Sequence, residues 1–98
     1  MLEKTVERTL LMKVREKGGL AFKFVSPGMA GVPDRVVLLP DGKIAFVELK
    51  APGKKPRALQ RYRMRQIEDL GFRVEVLDEI EQIEPFLEEL EGGKADEV

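Results

Sequence analysis

The sequence predicts an α/β domain: a central mixed sheet flanked by helices, with elements in the order αβββαβα. Two alternating runs, residues 32–39 and 43–50, flank the turn Pro40-Asp41-Gly42 and read as a hairpin. Before them, Leu2, Val6, Leu10 and Val14 recur at every fourth position, the stripe of an amphipathic helix. After them, a helical pattern over 56–70 separates the hairpin from one more strand. The strands on either side of that helix are joined by a crossover and are therefore expected to run parallel. Helices before, between and after the strands cover both faces of such a sheet.

Each element has its own signals. The first helix runs over 3–17 and stops at Gly18-Gly19, with Lys13, Arg15 and Lys17 suiting its C-terminal end. Residues 20–25 form a strand with Phe22 and Phe24 on one face and Ala21, Lys23 and Val25 on the other. A breaker-rich loop, Ser26-Pro27-Gly28-Met29-Ala30-Gly31, follows. In the hairpin, proline suits the first turn position and glycine a positive φ. That favours a three-residue loop, which pairs Leu39 with Lys43 and hence Asp34 with Glu48.

Pro56 opens the next helix as its first residue, with no Ser, Thr, Asp or Asn cap ahead of it. Leu59, Tyr62 or Arg63, Ile67 and Leu70 give its core stripe, and Gly71 ends it. Residues 72–77 form the fourth strand. The last helix covers 78–90, capped by Asp78 with Glu81 three residues on; Pro85 predicts a kink or two short pieces. Residues 1–90 read as one domain, and 91–98 as an acidic tail expected to be disordered.

Composition narrows the chemistry. The chain has 98 residues, a net charge of −1, no cysteine and no histidine. Disulfides, thiolate zinc sites, Ser-His triads and His-metal sites are excluded together. A metal here is held by oxygen, which selects Mg²⁺, Mn²⁺ or Ca²⁺. The charge is segregated: Lys50, Lys54, Lys55, Arg57, Arg61, Arg63 and Arg65 run without an acidic neighbour, whereas acids dominate from Glu75 onward. Such a basic run can bind phosphate on a chain that is neutral overall. No apolar run approaches about 18 residues and no signal peptide is visible, so an intracellular protein is expected.

Side-chain alternation puts Glu48 and Lys50 on one strand face with Ile44 and Phe46. Opposed residues have Cβ atoms about 4.5 to 5.5 Å apart, and two carboxylates that close repel unless a proton or a cation lies between them. Asp34 opposite Glu48, with Lys50 alongside, therefore reads as a divalent metal site.

Pro33-Asp34, Glu48-Leu49-Lys50 and Gln60 resemble the PD-(D/E)XK nuclease superfamily, a restriction-endonuclease-like core. With Gly18-Gly19, Lys23-Phe24, Ser26-Pro27-Gly28, Gly31-Val32-Pro33-Asp34-Arg35 and Phe46 through Lys54, they resemble its VRR-NUC branch, the virus-type replication and repair nuclease domain. The resemblance covers residues 3 to 77. It implies Mg²⁺ or Mn²⁺ on Asp34 and Glu48, with the Leu49 carbonyl as a third ligand. It also implies Lys50 at the attacking water and Gln60 near the metal-bound water or Lys50. A first-helix glutamate completes the site in such enzymes. Glu7-Arg8 stands from Gly18 as the matching pair stands in Holliday-junction resolvases, which selects Glu7 over Glu3. Lys23, Ser26, Arg35, Lys54, Lys55, Arg57 and Arg61 are the expected DNA contacts.

The expected function is thus a metal-dependent, structure-specific DNA endonuclease acting on branched or four-way junctions. Resemblance to stand-alone members implies a homodimer, with Phe86, Leu87 and Leu90 as candidate interface or core. No membrane and no other protein partner is expected, and the setting is the cytoplasm of a bacterial or phage-infected host. The alternatives are a generic nicking endonuclease of the same fold and a non-catalytic DNA-binding module.

Overall fold

A computed structural model describes residues 2–92. The first helix, α1 (Glu3–Glu16), buries Val6, Leu10 and Val14, the predicted stripe. At its end the N–H groups of Gly18 and Gly19 close on the carbonyls of Arg15 and Val14 at 2.9 and 3.0 Å. Strand β1 (Leu20–Lys23) begins at once. Only glycine fits at 19, because a Cβ there would stand 2.2 Å from the Leu38 carbonyl oxygen.

Strands β2 (Arg35–Leu39) and β3 (Lys43–Leu49) form the hairpin in the expected register, Leu39 opposite Lys43. Asp41 joins Gly42 in the left-handed region, with φ of 68° and 73°. Aspartate tolerates that conformation because its short side chain can bond locally. The sheet order is β1-β2-β3-β4, antiparallel except that β4 (Arg73–Leu77) runs parallel to β3. Between them, α2 (Ala58–Asp69) provides the crossover.

The buried face of α2 differs from the predicted stripe. Met64 is the buried residue, whereas Tyr62 and Leu70 are 56% and 76% exposed. Gln60, Met64 and Ile67 turn toward the sheet instead of Leu59, Tyr62 and Leu70. The two stripes share the same helical period and the same Ile67, so spacing alone does not choose between them.

After β4, a 3-10 turn (Ile80–Gln82) leads into α3 (Ile83–Leu90). The predicted cap pair is corrected here. Gln82, not Glu81, closes the turn: its Oε1 accepts from the Asp78 and Glu79 N–H groups at 2.8 and 3.1 Å, and its Nε2 donates to Asp78 at 2.8 Å. Pro85 falls in the first turn of α3, where a missing N–H costs little, so the chain divides into two pieces rather than kinking.

The core lies between one sheet face and α1 plus α3. It joins the α1 stripe to Val37, Leu39, Ala45, Val47, Leu49 and Leu77, and to Ile83, Phe86, Leu87 and Leu90. Phe86, Leu87 and Leu90 are therefore core residues and not an interface, because the α3 stripe is spent on α1 and the sheet. Lys17 binds Glu84 at 3.1 Å and Glu91 at 3.5 Å, tying α1 to α3. The Lys17 ammonium is held above its usual range by Glu84, and the Glu84 carboxyl below its own by Lys17.

The other sheet face carries Phe24, Phe46 and Phe72, with ring centroids 5.6 and 6.0 Å apart in sequence. Its β4 end is covered by α2. This is the face that holds the candidate site. From residue 93 on, the expected acidic tail lies outside the described residues.

Candidate active site

Two strand ends and one helix start build the site. Extending the β2–β3 register by one residue sets Asp34 opposite Glu48, on the face shared with Phe46. The Phe24 N–H donates to the Asp34 carbonyl at 2.9 Å, which carries the β1–β2 pairing up to Asp34. The Leu49 N–H donates to Asp34 Oδ1 at 3.3 Å. Beyond it, the Lys50 N–H donates to the Leu77 carbonyl at 3.0 Å, so β4 supports the end of β3.

Glu48 is 3% exposed. Its Oε2 accepts from Gln60 Nε2 at 3.0 Å and lies 3.4 Å from Lys50 Nζ. Its Oε1 is buried with no hydrogen-bond partner. Burial, and after it the charge of Asp34, push the Glu48 carboxyl above the usual range, with Lys50 opposing. Burial also raises Asp34, against the charge of Arg35, the Leu49 N–H and Lys50. Two carboxylates that both resist ionisation despite Lys50 and Arg35, one of them with a stranded oxygen, form a site with room for a further positive charge.

That donor set fits a hard divalent cation such as Mg²⁺ or Mn²⁺, which takes carboxylate and carbonyl oxygens. Among the described residues, no third acidic side chain joins the pair as a cluster of metal-ligand type.

Gln60 answers the question left by the uncapped helix. Its Oε1 accepts from the Arg57 N–H at 2.8 Å, capping α2, while its Nε2 holds Glu48. Both bonds fix the amide in one orientation, since only the oxygen accepts and only the nitrogen donates.

The remaining expected residues divide. Arg35 is placed otherwise than expected: it is buried and faces α1, donating to the Asp34 carbonyl at 3.0 Å and pairing with Glu7. A guanidinium so engaged is not a DNA contact; it is an internal counter-charge beside Asp34. Glu7 spends its carboxylate on Arg35. The first-helix acid whose charge is felt at Asp34 is Glu3, which raises the Asp34 pKa. Lys23 pairs with Arg35 across the strands and so lies on the α1 side of the sheet, away from Asp34. Ser26 sits half-buried in the loop before β2. Lys54, Lys55, Arg57 and Arg61 are exposed around the start of α2.

Sequence reasoning chose Glu7 over Glu3 as the first-helix acid and missed the inward turn of Arg35. A lone arginine on a strand reads as surface, and its partner Glu7 is too far along the chain to be linked by spacing.

The VRR-NUC domain family matches residues 3–78 of this chain. The chain is 54% identical over 76 residues to a protein of Acyrthosiphon pisum secondary endosymbiont phage 1 named "Putative nuclease p44", covering 78% of this chain and 82% of that protein. A solved structure described as "VRR_NUC domain" superposes with a TM-score of 0.81 at 31% identity, covering 88% of this chain and 94% of its own.

Proposed function

The chain belongs to the VRR-NUC domain family, and we propose that it is a metal-dependent, structure-specific DNA endonuclease. Its substrates are branched DNAs, four-way junctions included, and it works as a homodimer. The observation that carries this reading is the opposed pair Asp34 and Glu48, with Glu48 Oε1 buried and unpartnered beside Lys50. The phage relative's name supports nuclease chemistry.

In this reading Asp34, Glu48 and the Leu49 carbonyl would hold Mg²⁺ or Mn²⁺, which when bound would supply Lewis acidity and acidify water. Lys50, anchored by Glu48, would orient the attacking water and place positive charge where the pentacoordinate phosphorus gathers negative charge. Gln60 aims Glu48 and keeps one of its oxygens occupied. Lys54, Lys55, Arg57 and Arg61 bind flanking phosphates, as an electropositive rim does for any sequence.

Two-fold symmetry would let two such sites cut a junction symmetrically. Surface for a second copy is available on the Phe46 face, where Leu20, Phe22 and Phe72 stay exposed. No described helix is long and apolar enough to cross a membrane. The proposed setting is the cytoplasm of a bacterial or phage-infected host.

Cleavage of a labelled four-way junction, a splayed arm and a plain duplex, with Mg²⁺ or Mn²⁺, tests the proposal. Wild type should cut the junction symmetrically and selectively, and Asp34→Ala should cut nothing. Equal cutting of all three retires the junction preference; cutting that survives Asp34→Ala retires the site.

A further inference from the structure

The outward side of α2 carries a group that the hydrolytic site does not use. Gln60, Met64 and Ile67 face the sheet, so Tyr62 points away from it and is 56% exposed. A phenol ring left in water contributes little burial to the fold. It is nevertheless held. The Arg63 guanidinium lies 5.5 Å from the ring centroid and is itself fixed to the Ala30 carbonyl at 2.8 Å and Gln66 Oε1 at 2.9 Å. Gln66 Nε2 stands 3.5 Å from the Tyr62 hydroxyl.

Beside the ring is a shallow cavity of about 320 Å³ lined by Ala58, Arg61, Tyr62 and Arg65. Ala58 keeps its floor low. The Arg65 side chain makes no hydrogen bond or ion pair among the described residues, and Arg61 commits one nitrogen to the Pro56 carbonyl at 2.6 Å. The chain has no acidic residue between Glu48 and Glu68. The cavity thus joins a braced aromatic surface to two guanidinium groups.

We propose that Tyr62, Arg61 and Arg65 form a binding platform for an unpaired nucleotide of the substrate. The base stacks on the phenol ring and its phosphate lies on the guanidinium pair. This deepens the nuclease reading and rests on it. A paired duplex offers a protein the edges of its bases, because neighbouring pairs cover their faces. An unpaired base has an open face, and stacking on an aromatic side chain is worth about 1–3 kcal/mol whatever the base. The Gln60–Glu48 bond places the first turn of α2 at the carboxylates, so the platform lies within about one turn of them along the helix axis but across the helix, a width of about 10–12 Å. Selection for branched DNA then comes from bases that lose a stacked neighbour, or their pairing, at the branch.

The test uses the full chain in an Asp34→Ala background, so that DNA is bound and not cut. Two DNAs of matched sequence are compared, one fully paired and one with a short unpaired stretch carrying 2-aminopurine. The parent should prefer the unpaired DNA and quench the 2-aminopurine. Tyr62→Ala should lower that preference about ten-fold and abolish the quenching, whereas Tyr62→Phe should keep both. A Tyr62→Ala preference within about two-fold of the parent, with quenching retained, overturns the platform and leaves the nuclease reading standing. A parent that binds neither DNA overturns both.

Discussion

Replacing Glu48 by glutamine should stabilise the metal-free protein and abolish its response to metal. At about 5 Å and an effective dielectric of about 20, Asp34 repels Glu48 by roughly 3 kcal/mol. Lys50 Nζ at 3.4 Å returns an attraction of the same order. The attraction exceeds the repulsion by roughly 2 kcal/mol, and burial at 3% exposure outweighs that difference by disfavouring the charge. The amide keeps an oxygen for Gln60. The variant should gain about 1 kcal/mol without metal, a Tm rise of about 4–8 °C in a domain this size. In wild type, Mg²⁺ or Mn²⁺ at about 100 times Kd adds roughly 2.7 kcal/mol, or about 10–20 °C. The variant should show almost none of that shift. Thermal melts by circular dichroism, with chelator and with metal, read both effects. A variant with the wild-type metal shift would refute the assignment of Glu48 as a ligand; one that melts below wild type in chelator would refute the electrostatic argument.

The same pair sets a pH dependence. The folded-state pKa of Glu48 is raised above its unfolded value, so its favourable contribution is complete below the unfolded value and is lost as pH rises through the folded one. The stability gap between Glu48→Gln and metal-free wild type should therefore close as pH falls through the carboxylate range, which urea titrations at several pH values would show. Gln60→Ala should remove the cap of α2, costing about 1 kcal/mol, and lower metal affinity about 10–100-fold; calorimetric metal titration beside a melt separates the two losses. Arg35→Met should cost about 2 kcal/mol by stranding Glu7 beside a raised Asp34, less than the ~3–5 kcal/mol of a fully buried pair because Glu7 is partly solvated; an unchanged urea midpoint would contradict that. Gly19→Ala should cost about 3 kcal/mol, since its Cβ would meet a backbone oxygen that cannot step aside; chemical denaturation should show it as a lowered midpoint.

What could be read from the sequence was whatever is decided locally. Pro40-Asp41-Gly42 sets the hairpin register, and the register alone brings Asp34 opposite Glu48. The segment between β3 and β4 is long enough only for a crossover, hence the parallel pair. Features decided by tertiary fit were not legible. Met64 and Tyr62 lie two positions apart on a helix whose contact with the sheet is narrow, and composition does not say which is inside. Arg35 alternates with Asp34 and so had to face α1, but nothing nearby in the chain announces Glu7 as its partner. The last helix showed an apolar stripe, and only its neighbours reveal that α1 and the sheet use it fully.

The doubly bonded amide of Gln60 makes α2 mechanically continuous with the carboxylates. One end of the amide is fastened to the helix's first N–H and the other to Glu48. A tilt of α2 on the sheet therefore drags Glu48, and a strand displacement at Glu48 pulls on the helix. Under the proposed function, phosphates seated along the α2 arginines would act on the same lever. DNA that docks in the wrong posture would misaim a metal ligand before any bond is broken, so fidelity of cutting can arise from stiffness as well as from affinity.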